Sequence, residues 1–253
     1  MLRRALINAA LMCVCSAAAF ARGNLKELTV PLKYVPQEGV HAASPDLQSG
    51  VLSTPVDIRF EDARRQDDPL LIGQGTGGDD KQFPVHADRS VIDYVRESLT
   101  DTAKQWGLHV EPSAARVLVV QLTRFSIDES NKALGSVYGT EVKFAFALKD
   151  AKGSVLAEGA TSGTAHRYGH AHSVDNCNEV LSDALKEAFS NVLSNADLQS
   201  AWVSGKRTGT VSAAAAPAET PEQRLRKLEE LYNKKLITKE EYEKKRAEIL
   251  KEL

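Results

Sequence analysis

Glu141–Asp150, EVKFAFALKD, alternates apolar and polar residues with a period of two. Val142, Phe144, Phe146 and Leu148 share one face, and Glu141, Lys143 and Lys149 the other, the pattern of an antiparallel strand with one side on a core and one in water. Asp150-Ala151-Lys152-Gly153 supplies a turn in which Gly153 can take positive φ, and a return strand runs from Ser154 towards His166. Before it, Arg116–Ile127 carries apolar residues on both faces in RVLVVQL and reads as a central strand.

Helices flank these strands. Ile92, Val95, Leu99, Ala103 and Trp106 recur at helical spacing behind Asp88 and a Ser90/Asp93 capping pair, and Gly107 stands just past the helix end. A second amphipathic helix begins near Asp175 or Asn176 and turns Val180, Leu181, Ala184, Leu185, Ala188, Val192 and Leu193 inward. Upstream, PVDIRF is a further alternating strand with Val56, Ile58 and Phe60 on one face, and Leu25–Tyr34 has the composition of an edge strand. GVHAASPDLQSG and the stretch through GQGTGGDDK read as loops. The expected fold is α+β: a small mixed or antiparallel sheet with two amphipathic helices on one face, in the order β-α-β-β-β-α, over residues 22–203.

The first residues carry an address. Arg3 and Arg4 precede an apolar stretch, Ala5–Ala18, too short to span a bilayer, and Ala19-Phe20-Ala21 is a small-x-small cleavage site, so residues 1–21 read as a secretory signal. Leu2 and Ala5-Leu6 around the arginines do not make a twin-arginine motif. Cys13 and Cys15 suggest a lipid anchor, but Met12 and Val14 occupy the positions where a lipidated cysteine needs a small predecessor. A free periplasmic protein is favoured, with a membrane-anchored lipoprotein as the alternative.

Removal of Arg3 and Arg4 takes the formal net charge from −2 to −4, so no global attraction to nucleic acid is expected. Of three cysteines only Cys177 remains, which excludes an intramolecular disulfide. No later apolar run reaches membrane-spanning length.

After Trp202 the composition shifts to small and polar residues, and 204–219 reads as a flexible linker. Residues 220–253 specify two helices through the capping boxes Thr220-Pro221-Glu222-Gln223 and Thr238-Lys239-Glu240-Glu241. Leu225, Leu228, Leu231 and Tyr232 line the first, Tyr242, Ile249, Leu250 and Leu253 the second, with Leu236 and Ile237 in the turn. These stripes bury too little to hold a segment of this size alone, so the hairpin is expected to need a partner surface, either another copy or another protein.

The chemical motifs are few. Gly73-Gln74-Gly75-Thr76-Gly77-Gly78 satisfies G-x-G-x-x-G, but Asp79 and Asp80 follow where a phosphate-binding helix should open. There is no G-x-S-x-G. His166, His170 and His172, in HRYGHAHS, and Cys177 beyond it are the residue types that hold zinc or copper; on an extended segment His170 and His172 would share one side and reach a single ion, but the stretch has the composition of an exposed loop. Cys177 near a helix start is either a thiol with lowered pKa or a buried small hydrophobe. No cofactor and no catalytic residue is expected.

The terminal segment resembles the SHOCT family of short C-terminal helical hairpins through Leu228, Leu231, Tyr232, Leu236, Ile237, Thr238, Glu241 and Tyr242. That resemblance implies an oligomerisation or interaction module. Val56–Trp202 is similar to the YajG-like envelope lipoproteins in the strand ending Asp62-Ala63-Arg64, the Ile72-Gly73 pair, the Val91–Gly107 helix closing in Trp-Gly-Leu, and the strand Val117–Leu122. This likeness implies a non-enzymatic envelope protein binding a protein or cell-wall partner. The alternative reading is a metal-binding or thiol-dependent protein using His166–Cys177.

Overall fold

The computed structural model describes residues 27–37, 44–77, 81–132, 134–208 and eight positions between 228 and 246. In chain order the elements are β1 (Leu28–Val30), α1 (Ser49–Ser53), β2 (Asp57–Asp62), β3 (Leu71–Thr76), β4 (Gln82–Ala87), α2 (Val91–Gln105), β5 (Val117–Lys132), β6 (Gly135–Lys149), β7 (Val155–Gly169), α3 (Val174–Leu193) and α4 (Ala196–Ser204). The fold is α+β, built on one mixed seven-stranded sheet of order β1-β4-β3-β5-β6-β7, with β2 also on β5.

β5, β6 and β7 form the expected antiparallel meander. The even residues Val142, Phe144, Phe146 and Leu148 of β6 are buried, and the odd ones open towards solvent. Asp150 closes the β6–β7 turn by accepting the backbone N–H groups of Lys152 and Ser154 at 2.9 and 2.8 Å. One edge of β5 serves two strands in succession, pairing in parallel with β2 along Val117–Leu122 and with β3 along Ile127–Glu129.

The stretch expected to be a glycine-rich loop is instead the β3–β4 hairpin. Its glycines are there for close approach: a Cβ on Gly75 would lie 2.2 Å from the Phe83 ring, and one on Gly73 1.8 Å from the Ile127 carbonyl. The G-x-G-x-x-G match thus lies largely in a strand and opens no helix.

Ser90 caps α2 by accepting the Asp93 N–H, and Ser173 caps α3 by accepting that of Asn176, so α3 starts at Val174, beside the expected Asp175 or Asn176. α3 lies on β6 and β7, while α2 adjoins β2 and α3. A further helix, α4, has no place in the expected order β-α-β-β-β-α. Asn195 caps it, and Trp202, fully buried, donates its indole N–H to the Thr54 carbonyl at 3.3 Å. Order continues past residue 203: the Thr208 N–H reaches the Leu156 carbonyl at 3.0 Å.

Among the described residues of the expected edge strand Leu25–Tyr34, only Leu28–Val30 is a strand, at the sheet edge and parallel to β4. Beyond it, residues 31–37 run extended across the helices as a strap. Their backbone is held by side chains: Lys33 N–H by Asn178 Oδ1 at 3.0 Å, Val35 N–H by Ser182 Oγ at 2.9 Å, Gln37 N–H by Asp183 Oδ1 at 2.7 Å and Leu32 N–H by Asp88 Oδ1 at 3.0 Å. Asn178 also donates to the Pro31 carbonyl. Among the described residues, no helix is long and apolar enough to cross a membrane.

Candidate functional site

The corner between β7 and α3 carries the chemically richest cluster. A bulge between Leu122 and Arg124 shifts the phase of β5, so that Leu118, Val120 and Leu122 point inward before it and Phe125, Ile127 and Glu129 after it. Glu129 is thereby carried into the interior, with 2 % of its surface exposed.

Burying a carboxylate is costly unless its acceptors are filled. Glu129 Oε1 accepts the His172 backbone N–H at 2.7 Å and lies 3.2 Å from the Tyr138 hydroxyl, while Oε2 is 3.4 Å from His172 Nδ1. Tyr138 has one proton for two acceptors, and the His170 carbonyl at 2.5 Å is the nearer. The same hydroxyl accepts the Ser173 N–H at 2.8 Å. Burial, opposed by that N–H and reinforced by the Glu129 charge, raises the Tyr138 hydroxyl above its ordinary range. The Phe83 ring meets the His172 ring edge-on at 5.2 Å.

This arrangement holds a backbone. His172 has φ of +56°, and the strain of that conformation is offset by the carboxylate on its N–H. The Ser173 hydroxyl accepts the Asn176 N–H as the α3 cap.

The candidate metal residues of the alternative reading are not brought together. Residues 170–172 turn, so the extended spacing that would aim His170 and His172 at one ion is absent. His166 lies over Gly139 on the open face of the sheet, while Cys177 is buried in the first turn of α3. His170 is exposed and contributes its carbonyl to Tyr138. Among the described residues no group of three His, Cys, Asp or Glu could hold a metal ion. Of the two readings of Cys177, the buried hydrophobe holds: burial, reinforced by Glu129, pushes its thiol up to about 12.

Of the hairpin residues expected to form an interface, Leu228, Tyr232 and Tyr242 are described and all three are helical. Leu228 is buried, and the Tyr232 and Tyr242 rings stack with centroids 4.7 Å apart. Leu225, Leu231, Leu236, Ile237, Ile249 and Leu250 lie outside the described residues. The sequence reading missed Glu129 and Tyr138; the phase change in LTRFSIDE is the signal that points to the first.

No curated protein matches the chain. Among solved structures it is similar to a Xanthomonas campestris protein of the family model DUF330, at 13% identity over 71% of this chain and 99% of that one, with TM-score 0.45. It is also similar to lipoprotein GNA1162 of Neisseria meningitidis (12% identity, 45% of this chain and 83% of that one, TM-score 0.27). A third likeness is to a minor lipoprotein of Acinetobacter baumannii (10% identity, 60% and 94%, TM-score 0.30). The final segment is identified directly by sequence: residues 223–250 match the model of the SHOCT family, the short C-terminal domain.

Proposed function

We propose that this chain is an exported, non-enzymatic protein of the Gram-negative cell envelope that binds a protein or cell-wall partner through its sheet domain and self-associates through its C-terminal hairpin. The observation that carries the self-association is the SHOCT match at 223–250, in a segment whose apolar stripes are too narrow to sustain it alone. The leader, residues 1–21, supports export to the periplasm, and Met12 and Val14 before the two leader cysteines favour a free protein over a lipid-anchored one. The non-enzymatic reading is supported by the Glu129–Tyr138–His172 cluster, whose polar atoms largely hold one another and the backbone around them.

In this reading the hairpin multiplies the number of sheet domains presented to one partner, and avidity follows without new contacts. Light scattering of Arg22–Leu253 beside a chain stopped at Ser212 tests it. A multimer that becomes monomeric on truncation is the expected result; two monomers overturn self-association.

A further inference from the structure

β7 is an edge strand, bonded to β6 on one side, and its even-numbered residues turn their backbone groups outward. Three of these groups are taken: the Leu156 carbonyl by the Thr208 N–H at 3.0 Å, the Ser162 carbonyl by Asn191 Nδ2 at 2.9 Å and the Thr164 N–H by Glu187 Oε2 at 2.7 Å. Between the two occupied carbonyls lie the N–H and C=O of Glu158, those of Ala160 and the N–H of Ser162, which no group reaches among the described residues. Ala160 is exposed there. Unpaired groups on a strand edge are a template for another extended chain.

The described chain after α4 runs to Thr208, which is already seated on this edge. Its bond to Leu156 has the form of a parallel ladder, in which a residue donates to the carbonyl before its opposite number and accepts from the N–H after it. β2 follows the same rule on β5: Asp57 lies opposite Val117 and donates to the Arg116 carbonyl at 2.8 Å. Thr208 thus stands opposite Ala157, which is buried on the helix side of the sheet. The Thr208 hydroxyl points to that side too, donating to the Asp197 carbonyl of α4 at 3.1 Å. Between β7 and Thr208, α3 and α4 supply the helical crossover that parallel neighbours require.

We propose that residues 209–212 continue from Thr208 as an added strand, parallel to β7, that fills this window. The occupant is the chain's own segment because it leaves from the bond that opens the window and fits its length. Thr210 donates to the Glu158 carbonyl and Ser212 to that of Ala160, while the carbonyls of Thr208, Thr210 and Ser212 take the N–H groups of Glu158, Ala160 and Ser162. The next carbonyl, that of Ser162, already holds Asn191, and the strand stops there. Side chains agree with this register. Thr210 falls opposite Gly159, which has none, and Val211 opposite Ala160 on the open face, in line with Ala145. Thr210 and Val211 are β-branched and favour extended chain, whereas Ala213–Ala216 and Pro217 do not. The hairpin is then tethered from the β7 edge through residues 213–219, whether or not it self-associates.

Amide hydrogen exchange of the full chain, resolved residue by residue by NMR, tests the strand. Thr210→Pro with Ser212→Pro removes both donors, and the Ala160 and Ser162 amides are expected to exchange at least about tenfold faster in that variant. Val211→Pro is the control: the Val211 N–H points away from β7, so this substitution is expected to leave both rates within about twofold. Unchanged rates for the β6 amides report that the sheet stays folded in every variant. The strand opens without unfolding the sheet, so exchange reads it and the melting temperature does not. Unprotected Ala160 and Ser162 in the unsubstituted chain, or equal acceleration by Val211→Pro, overturns the strand. Protection retained in the doubly substituted chain means that something other than residues 209–212 covers the edge, a second copy if protection rises with protein concentration, and overturns the assignment as well.

Discussion

The Glu129 carboxylate accepts the backbone N–H of His172 at 2.7 Å, joining the end of β5 to a left-handed residue 43 positions later. Glu129→Ala removes that acceptor from a half-buried N–H, which costs about 1–3 kcal/mol. Glu129→Gln keeps an amide oxygen for the same N–H and should cost less. Urea denaturation of the three proteins checks the order; equal losses would show that the charge rather than the acceptor matters.

The Cys177 thiol gives a pH dependence of defined sign. Its ordinary value of 9.0 is pushed up to about 12 by burial, so the folded protein holds this proton more tightly than the unfolded chain. The stabilisation is complete below pH 9 and is lost as pH rises from 9 towards 12. Tyr94 and Tyr138, both raised chiefly by burial, act in the same direction at higher pH. Urea midpoints should therefore fall on the alkaline side, and a thiol reagent near pH 8 should modify Cys177 only in denaturant. Rapid labelling of the native protein would contradict this burial.

Periodicity made β6, α2 and α3 legible, because each carries one apolar face at the period of its own backbone; β5 was legible instead as a run apolar on both faces, and β7 as the return from the turn at Gly153. It failed at β3, where Gly73 and Gly75 look like loop residues yet serve close contacts with Ile127 and Phe83. It failed at Glu129 because a bulge at residue 123, not the residue's own character, turned this carboxylate inward. The strap was invisible for another reason: pairings such as Lys33 with Asn178 join residues 145 apart through side chains, and no local pattern encodes them. In α4, small and polar residues around a single tryptophan merge into the linker composition that follows.

At Gly163 α3 sits close against the sheet. A Cβ there would lie 2.1 Å from the Ala184 carbonyl oxygen and 2.5 Å from the Ala188 nitrogen, both helix backbone atoms that cannot rotate aside. Gly163→Ala must push α3 away from β7 and should destabilise the fold by about 1–3 kcal/mol. Thr164→Ala, whose exposed side chain points the other way, serves as the control in the same thermal melt.

Trp202 decides where the sheet domain ends. Its side chain is fully buried, its indole N–H is bonded to Thr54, and its own carbonyl accepts from Arg116 Nε at 3.4 Å. These contacts tie α4 both to the segment before β2 and to the entrance of β5. Trp202→Ala should cost about 3–5 kcal/mol, the range for a large buried aromatic. A chain stopped at Asn195 lacks α4 altogether and should lose cooperative unfolding, while one stopped at Thr208 keeps α4 and the Thr208–Leu156 hydrogen bond and should melt as the full chain does. If the shorter chain melts cooperatively at the same temperature, α4 is an accessory to the sheet domain and the indole contacts contribute little.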